Sequence, residues 1–152
     1  MSTTTTPQNR VGAAGIDPRG PQVAATLTAV VLVVVLLVAP SPLGIALLVA
    51  QAAVFAVGAV RGVQHTPYSW VFRTVVRPRL SPPAELEDPA PPRFAQGVGL
   101  AFALVGLVAF VAGADLVGEI AVGFALVAAL LNAVFRFCLG CEMYLLLKRF
   151  TH

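Results

Sequence analysis

Four apolar runs, set in two closely spaced pairs, constrain this chain more than any other feature. The first, 23–39 (VAATLTAVVLVVVLLVA), holds no charge and is closed by Pro40, Ser41 and Pro42. The second, 43–60, follows at once and ends at Arg61. The third covers 94–112. The fourth opens near Leu116, stays apolar to Phe135 and runs on past Arg136 to Leu147. A bilayer core takes roughly 20 apolar residues of helix, with about 17 as the lower limit. Each run reaches that length once its flanks are counted. Proline cannot continue a helix, so Pro40-Ser41-Pro42 is a tight reversal, and Gly113-Ala114-Asp115 makes a second one. The expected fold is all-α: an integral membrane four-helix bundle built as two transmembrane helical hairpins. Its helices are placed at about 22–39, 43–60, 94–112 and 116–147, in a transmembrane domain over 22–152. A polar, partly disordered tail occupies 1–21, and a loop over 61–93 joins the hairpins. The first run exceeds a usual signal-peptide core, and no small-x-small cleavage site follows it, so it is expected to be retained as a span.

Composition agrees. Hydrophobic residues make up 58% of the 152 residues and charged residues 11%. Soluble domains carry about 25% charged residues, so an ordinary water-facing surface is excluded and the lipid bilayer is the main solvent. The formal charge of +3 does not indicate nucleic acid, because the basic residues lie between the apolar runs. Arg10, Arg19, Arg61, Arg73, Arg77, Arg79, Arg93, Lys148 and Arg149 all fall on one side of the four-helix scheme, with Arg136 near it. The opposite turns carry only Asp115 and Glu119 nearby. The positive-inside rule then predicts that both termini are cytoplasmic. The preference for Arg over Lys associates the chain with a GC-rich bacterial genome, hence a bacterial cell membrane.

A short echo relates the halves. Pro18-Arg19-x-x-Gln22 precedes the first helix and Pro92-Arg93-x-x-Gln96 the third. Two hairpins entering from the same side are related by an axis along the membrane normal. In the loop, Tyr68 and Trp70 suit the headgroup level, and 68–76 is expected to lie there as a short helix. The segment 81–92, SPPAELEDPAPP, is expected to be an extended strap because of its prolines.

The chemistry-bearing residues are few. Cys138 and Cys141 are the only cysteines and form a Cys-x-x-Cys. Two thiols at this spacing can close a disulfide, carry sulfur as a persulfide or hold a metal with further ligands such as Glu142 or His65. They can also be unreactive cysteines that pack as small hydrophobes. On a continuous fourth helix they would lie toward its C-terminus, whose negative dipole end disfavours thiolate. Arg136, Lys148 and Arg149 oppose that effect. Asn132 and Arg136, four residues apart, share a helical face. Ala121, Ala125, Ala128 or Ala129, and Gly140 continue the stripe, whose small residues permit close helix contact. Arg136 is placed at the end of this stripe as an anion or carboxylate partner, or as an interfacial residue that snorkels. At ~100° per residue Cys141 points away from Asn132, so dithiol and polar stripe do not share a pocket unless the helix breaks at Gly140. Gln51 in the second helix is expected to make an interhelical hydrogen bond. His65 reads as a surface residue. No phosphate loop, HExxH or triad is present, and no cofactor is expected.

Asp17-Pro-Arg-Gly-Pro, Arg77-Pro-Arg-Leu-Ser-Pro-Pro, Pro92-Arg-Phe-Ala-Gln-Gly-Val-Gly and Phe137-Cys-Leu-Gly-Cys-Glu together resemble the bacterial domain-of-unknown-function family 4395, over about residues 16–150. The resemblance implies an integral membrane protein. It also points toward thiol or sulfur handling, through thioredoxin-like or sulfurtransferase proteins encoded near some members. Three functional expectations follow. One is a redox or sulfur-relay membrane component that uses Cys138 and Cys141 with a thioredoxin-like partner, and is not an enzyme on its own. Another is a non-catalytic membrane subunit or assembly factor, a homo-oligomer included. The last is a small transporter for a sulfur-containing solute, with Gln51, Asn132 and Arg136 lining its path.

Overall fold

The computed structural model describes residues 15–151. The expected disorder of the tail falls mostly on 1–14, outside the described residues. Helix α1 spans Arg19–Val38 and α2 spans Pro42–Arg61. The reversal between them holds Pro40, and Ser41 starts α2 by accepting a hydrogen bond from Gly44 N–H at 3.3 Å. Pro42 at the first helical position loses no bond, since that N–H has no intrahelical partner. A short helix α3, Pro67–Val71, continues into one wide π-type turn, Phe72–Val76. Then come α4, Ala90–Val111, α5, Asp115–Phe135, and α6, Leu139–Thr151. Helices α1, α2, α4 and α5 are the four that are long and apolar enough to cross a membrane.

These four form a closed ring. Helix α1 packs on α2 and α5, and α4 on α2 and α5, the inter-hairpin contacts being the more extensive. The core is built from Leu32, Val35, Leu48, Phe55, Phe110 and Val122. Glycines let aromatic rings approach the backbone: Gly99 faces Phe55, and Gly118 faces Phe110. The outer surface is as apolar as the core, with Leu37 and Val111 each 77% exposed. A patch of that extent in water marks an interaction surface or an aggregation site. Here it is the lipid-facing wall of a multi-pass membrane protein.

The Pro-Arg-x-x-Gln echo has a structural counterpart. Gln22 Nε2 donates to Ala133 O at 2.9 Å. Arg93 Nε donates to Ala59 O at 2.7 Å, and its Nη2 donates to Val60 O at 2.6 Å. Each hairpin thus begins by satisfying free carbonyls in the last turn of the other hairpin's second helix. At the same end, Ile16 and Glu87 form an isolated antiparallel bridge. Arg19 pairs with Asp17 at 2.9 Å and donates to Ser81 O at 2.9 Å. These contacts tie the strap down onto the start of α1.

Two sequence expectations need correction. The run 116–147 is not one helix. Helix α5 stops at Phe135, and Arg136 takes the left-handed conformation, φ 57° and ψ 26°. Arg136 N–H bonds Asn132 O and Phe137 N–H bonds Leu131 O, both at 3.1 Å, the first being the bond of a left-handed αL stop. The reason is length. At ~1.5 Å per residue, the 21 residues of α5 already cross the hydrocarbon, while Glu142, Lys148 and Arg149 make α6 amphipathic. It turns back against α4. The second correction concerns the strap. It ends at Pro89, because Ala90, Pro91 and Pro92 form the first turn of α4, where proline's missing N–H costs nothing.

Candidate functional site

Cys138 and Cys141 are joined as a disulfide. The break at Arg136 decides where this pair sits. On one continuous helix it would lie near a C-terminus, whereas here Cys138 immediately precedes α6 and Cys141 is in its first turn. Cys138 O accepts from Glu142 N–H at 3.0 Å, and Cys138 Sγ accepts from Cys141 N–H at 3.1 Å. Cys138 therefore caps the helix through its sulfur. Free N–H groups and the positive end of the helix dipole stabilise negative charge there, a setting in which cysteine becomes reactive. The expected electrostatics at the pair are reversed.

Beneath the pair lies a cavity of about 250 Å³. Cys138 and Gly140 line it from above, Asn132 and Ala128 from α5, Gln96 from α4 and Thr28 from α1. Cys138 and Asn132 thus share a pocket, because the chain breaks at Arg136, four residues before Gly140. Much of the small-residue stripe of α5 forms the hollow rather than a tight seam: Ala125, Ala128 and Ala129 all border it. On α4, Phe102 and Phe124 of α5 approach with ring centroids 6.1 Å apart. Phe124 is 60% exposed yet lines the cavity, so the hollow reaches the lipid-facing surface there.

The other candidate residues lie elsewhere. Arg136 is exposed at the helix stop and does not line the cavity with Asn132. Gln51 is buried in the bundle, where its Nε2 donates to Thr28 Oγ1 at 3.4 Å and its Oε1 accepts from Tyr68 O–H at 2.6 Å. Tyr68 thereby anchors α3 inside the bundle, while Trp70 points out, 59% exposed. A wider cleft of about 650 Å³ is lined by Arg61, Gln64, Arg93 and Tyr144, but the Arg93 guanidinium is already engaged by the end of α2. Among the described residues no group of three or more His, Cys, Asp and Glu is placed to hold a metal ion.

Gln96 was not among the sequence candidates. Its signal was present as the last residue of the second Pro-Arg-x-x-Gln, but nothing in the sequence separates its role from that of Gln22. Gln22 bonds a helix end, while Gln96 lines the cavity and packs its amide against Gly58.

Residues 16–149 match the family described as "Domain of unknown function (DUF4395)", and the chain belongs to that family. No curated protein and no solved structure matches it.

Proposed function

We propose that this protein is a thiol–disulfide component of the bacterial cell membrane, with Cys138 and Cys141 alternating between disulfide and dithiol at the cytoplasmic interface. The observation that carries the reading is the disulfide at the first turn of α6, with Cys138 Sγ held by Cys141 N–H at 3.1 Å. In exchange, a partner thiolate attacks one sulfur and forms a mixed disulfide. The released thiolate takes a proton, and the partner's second thiol then resolves the bond. The partner ends as a disulfide, and Cys138 and Cys141 as thiols. A soluble thioredoxin-like or sulfurtransferase protein supplies the partner thiols. The basic residues clustered at one end of the bundle support a cytoplasmic side for that end and for both termini, by the positive-inside rule. Disulfides that face the cytosol are as a rule transient and catalytic, which favours turnover over a structural staple. The chain supplies the membrane half of the exchange and works with its partner rather than alone.

Differential alkylation in native membranes tests this. Both sulfurs are expected to resist a membrane-permeant maleimide until a mild reductant is added, then to label and to re-close on oxidation. Cys138→Ser should leave Cys141 permanently labelled. Two thiols that stay free under oxidant would overturn the proposal.

A further inference from the structure

We infer that the cavity beneath Cys138 takes the ring of a lipid-soluble quinone, which exchanges two electrons with the Cys138–Cys141 pair; this rests on the thiol–disulfide reading above. Three independent features converge on that ligand class. The first is the lining: an apolar hollow in the membrane half of the bundle, reached past the exposed Phe124 from the lipid side. A water-soluble oxidant would approach from the other side of the disulfide, whereas a lipid-borne one reaches this hollow without leaving the bilayer. The second is the pair of amides. Gln96 and Asn132 line the hollow from neighbouring helices. Among the described residues neither side-chain amide is engaged by another protein group, so each N–H₂ is available to a carbonyl oxygen. An apolar pocket with a few convergent donors is the usual form of a small-molecule site. The third is size. At about 250 Å³, the hollow lies just under the roughly 300–1,000 Å³ of drug-sized pockets, room for a flat ring head with its tail left among the lipid chains. Phe102 and Phe124 stand where such a ring would stack.

The reaction balances without any other reactant. The reduced pair loses both S–H bonds and gains the S–S bond. Its two electrons and two protons pass to the quinone, whose two C=O groups become the C–OH groups of the hydroquinone. The reverse direction reduces the disulfide at the expense of hydroquinone. In either direction the pair links a soluble thiol partner to the two-electron carrier pool of the lipid phase.

The test uses the full chain, reduced and freed of reductant, in lipid nanodiscs. It compares two oxidants: oxidised glutathione, and a decyl-chained dimethoxy-methyl-benzoquinone, whose fully substituted ring cannot add thiols. With the quinone, both thiols should disappear and hydroquinone absorbance should grow in equal amount. Ala128→Leu fills the hollow, and Asn132→Leu removes one donor. In each, the ratio of quinone rate to glutathione rate should fall about tenfold, with melting temperature reported alongside as a check on folding. Closure by glutathione but not by quinone, or a ratio unchanged in both variants, would overturn the quinone site and leave thiol exchange standing. Failure of both oxidants to close the pair in the unaltered protein would overturn thiol exchange, and the quinone site with it.

Discussion

Gly140 lies against Ala95 so closely that a methyl group at position 140 would stand 2.5 Å from Ala95 Cβ and 2.6 Å from its Cα. This contact lets α6 lie flat across α4 and holds the disulfide over the cavity. The residue between the two cysteines is therefore set by helix packing as well as by the turn.

Gly140→Ala should force α6 away from α4. The obstacle is backbone and a Cβ rather than a flexible tip, so relief requires the helix to move. Overpacking of this kind costs about 1–3 kcal/mol, and a helix-propensity gain of up to ~1 kcal/mol offsets only part of it. Thermal unfolding in detergent should show the loss, and the disulfide should become easier to reduce as α6 lifts. An unchanged melting temperature with unchanged reduction would mean that α6 does not rest on Ala95.

Tyr68 and Gln51 couple the loop to the bundle through a 2.6 Å hydrogen bond. Tyr68→Phe leaves Gln51 Oε1 without its partner inside the bundle, and leaving a buried polar atom unsatisfied costs about 1–3 kcal/mol. Gln51→Leu strands the Tyr68 hydroxyl instead. The double variant should be less destabilised than the sum of the singles, since no unpaired atom of that bond remains. A melting-temperature cycle measures the coupling. Strict additivity would show that the two residues do not touch.

Asp17 is held below its ordinary value of 3.8, chiefly by the hydrogen bond from the Arg19 side chain, with Arg77 adding charge attraction and burial opposing. A carboxylate depressed on folding contributes stability that is fully present above the unfolded value and lost as pH falls through the folded one. The strap over the start of α1 should therefore stay protected at neutral and mildly acidic pH and loosen only below the ordinary value. Limited proteolysis between Leu80 and Pro89 across an acid series reads this directly. Asp17→Asn should show the loosened pattern already at neutral pH.

The four spans were legible because apolar runs of this length, with at most a stray charge, are long enough to cross a bilayer, and the hairpin turn was legible from Pro40-Ser41-Pro42. The end of the fourth span was not. Left-handed helix stops are normally signalled by Gly or Asn, and here the residue is Arg136, inside apolar sequence that continues through Leu139. That single miss placed the dithiol at the wrong end of a helix and separated it from Asn132. The Tyr68–Gln51 bond was hidden for another reason: it joins residues that only the fold brings together. Gln51 was nevertheless recognisable as an amide that needed an interhelical partner, and Thr28 provides one.

The break at Arg136 can be tested by the sign of one substitution. Arg136 has φ 57°, where a side chain costs about 1–2 kcal/mol relative to a residue without Cβ. Arg136→Gly removes that cost and adds about 0.4–1 kcal/mol of unfolded-state entropy, so the net effect should be a small gain in stability. On an uninterrupted helix from 116 to 147 the same change would instead lose about 1 kcal/mol, since glycine is a poor helix former. Arg136→Ala separates backbone from charge. It keeps the Cβ and the left-handed strain but removes the guanidinium, so it should not share the gain. Paired melting curves of the two variants in the same lipid decide the matter. A glycine variant less stable than the alanine variant would restore the continuous helix, return Cys138 to a helix interior and remove the N-terminal setting on which the proposed thiol exchange rests.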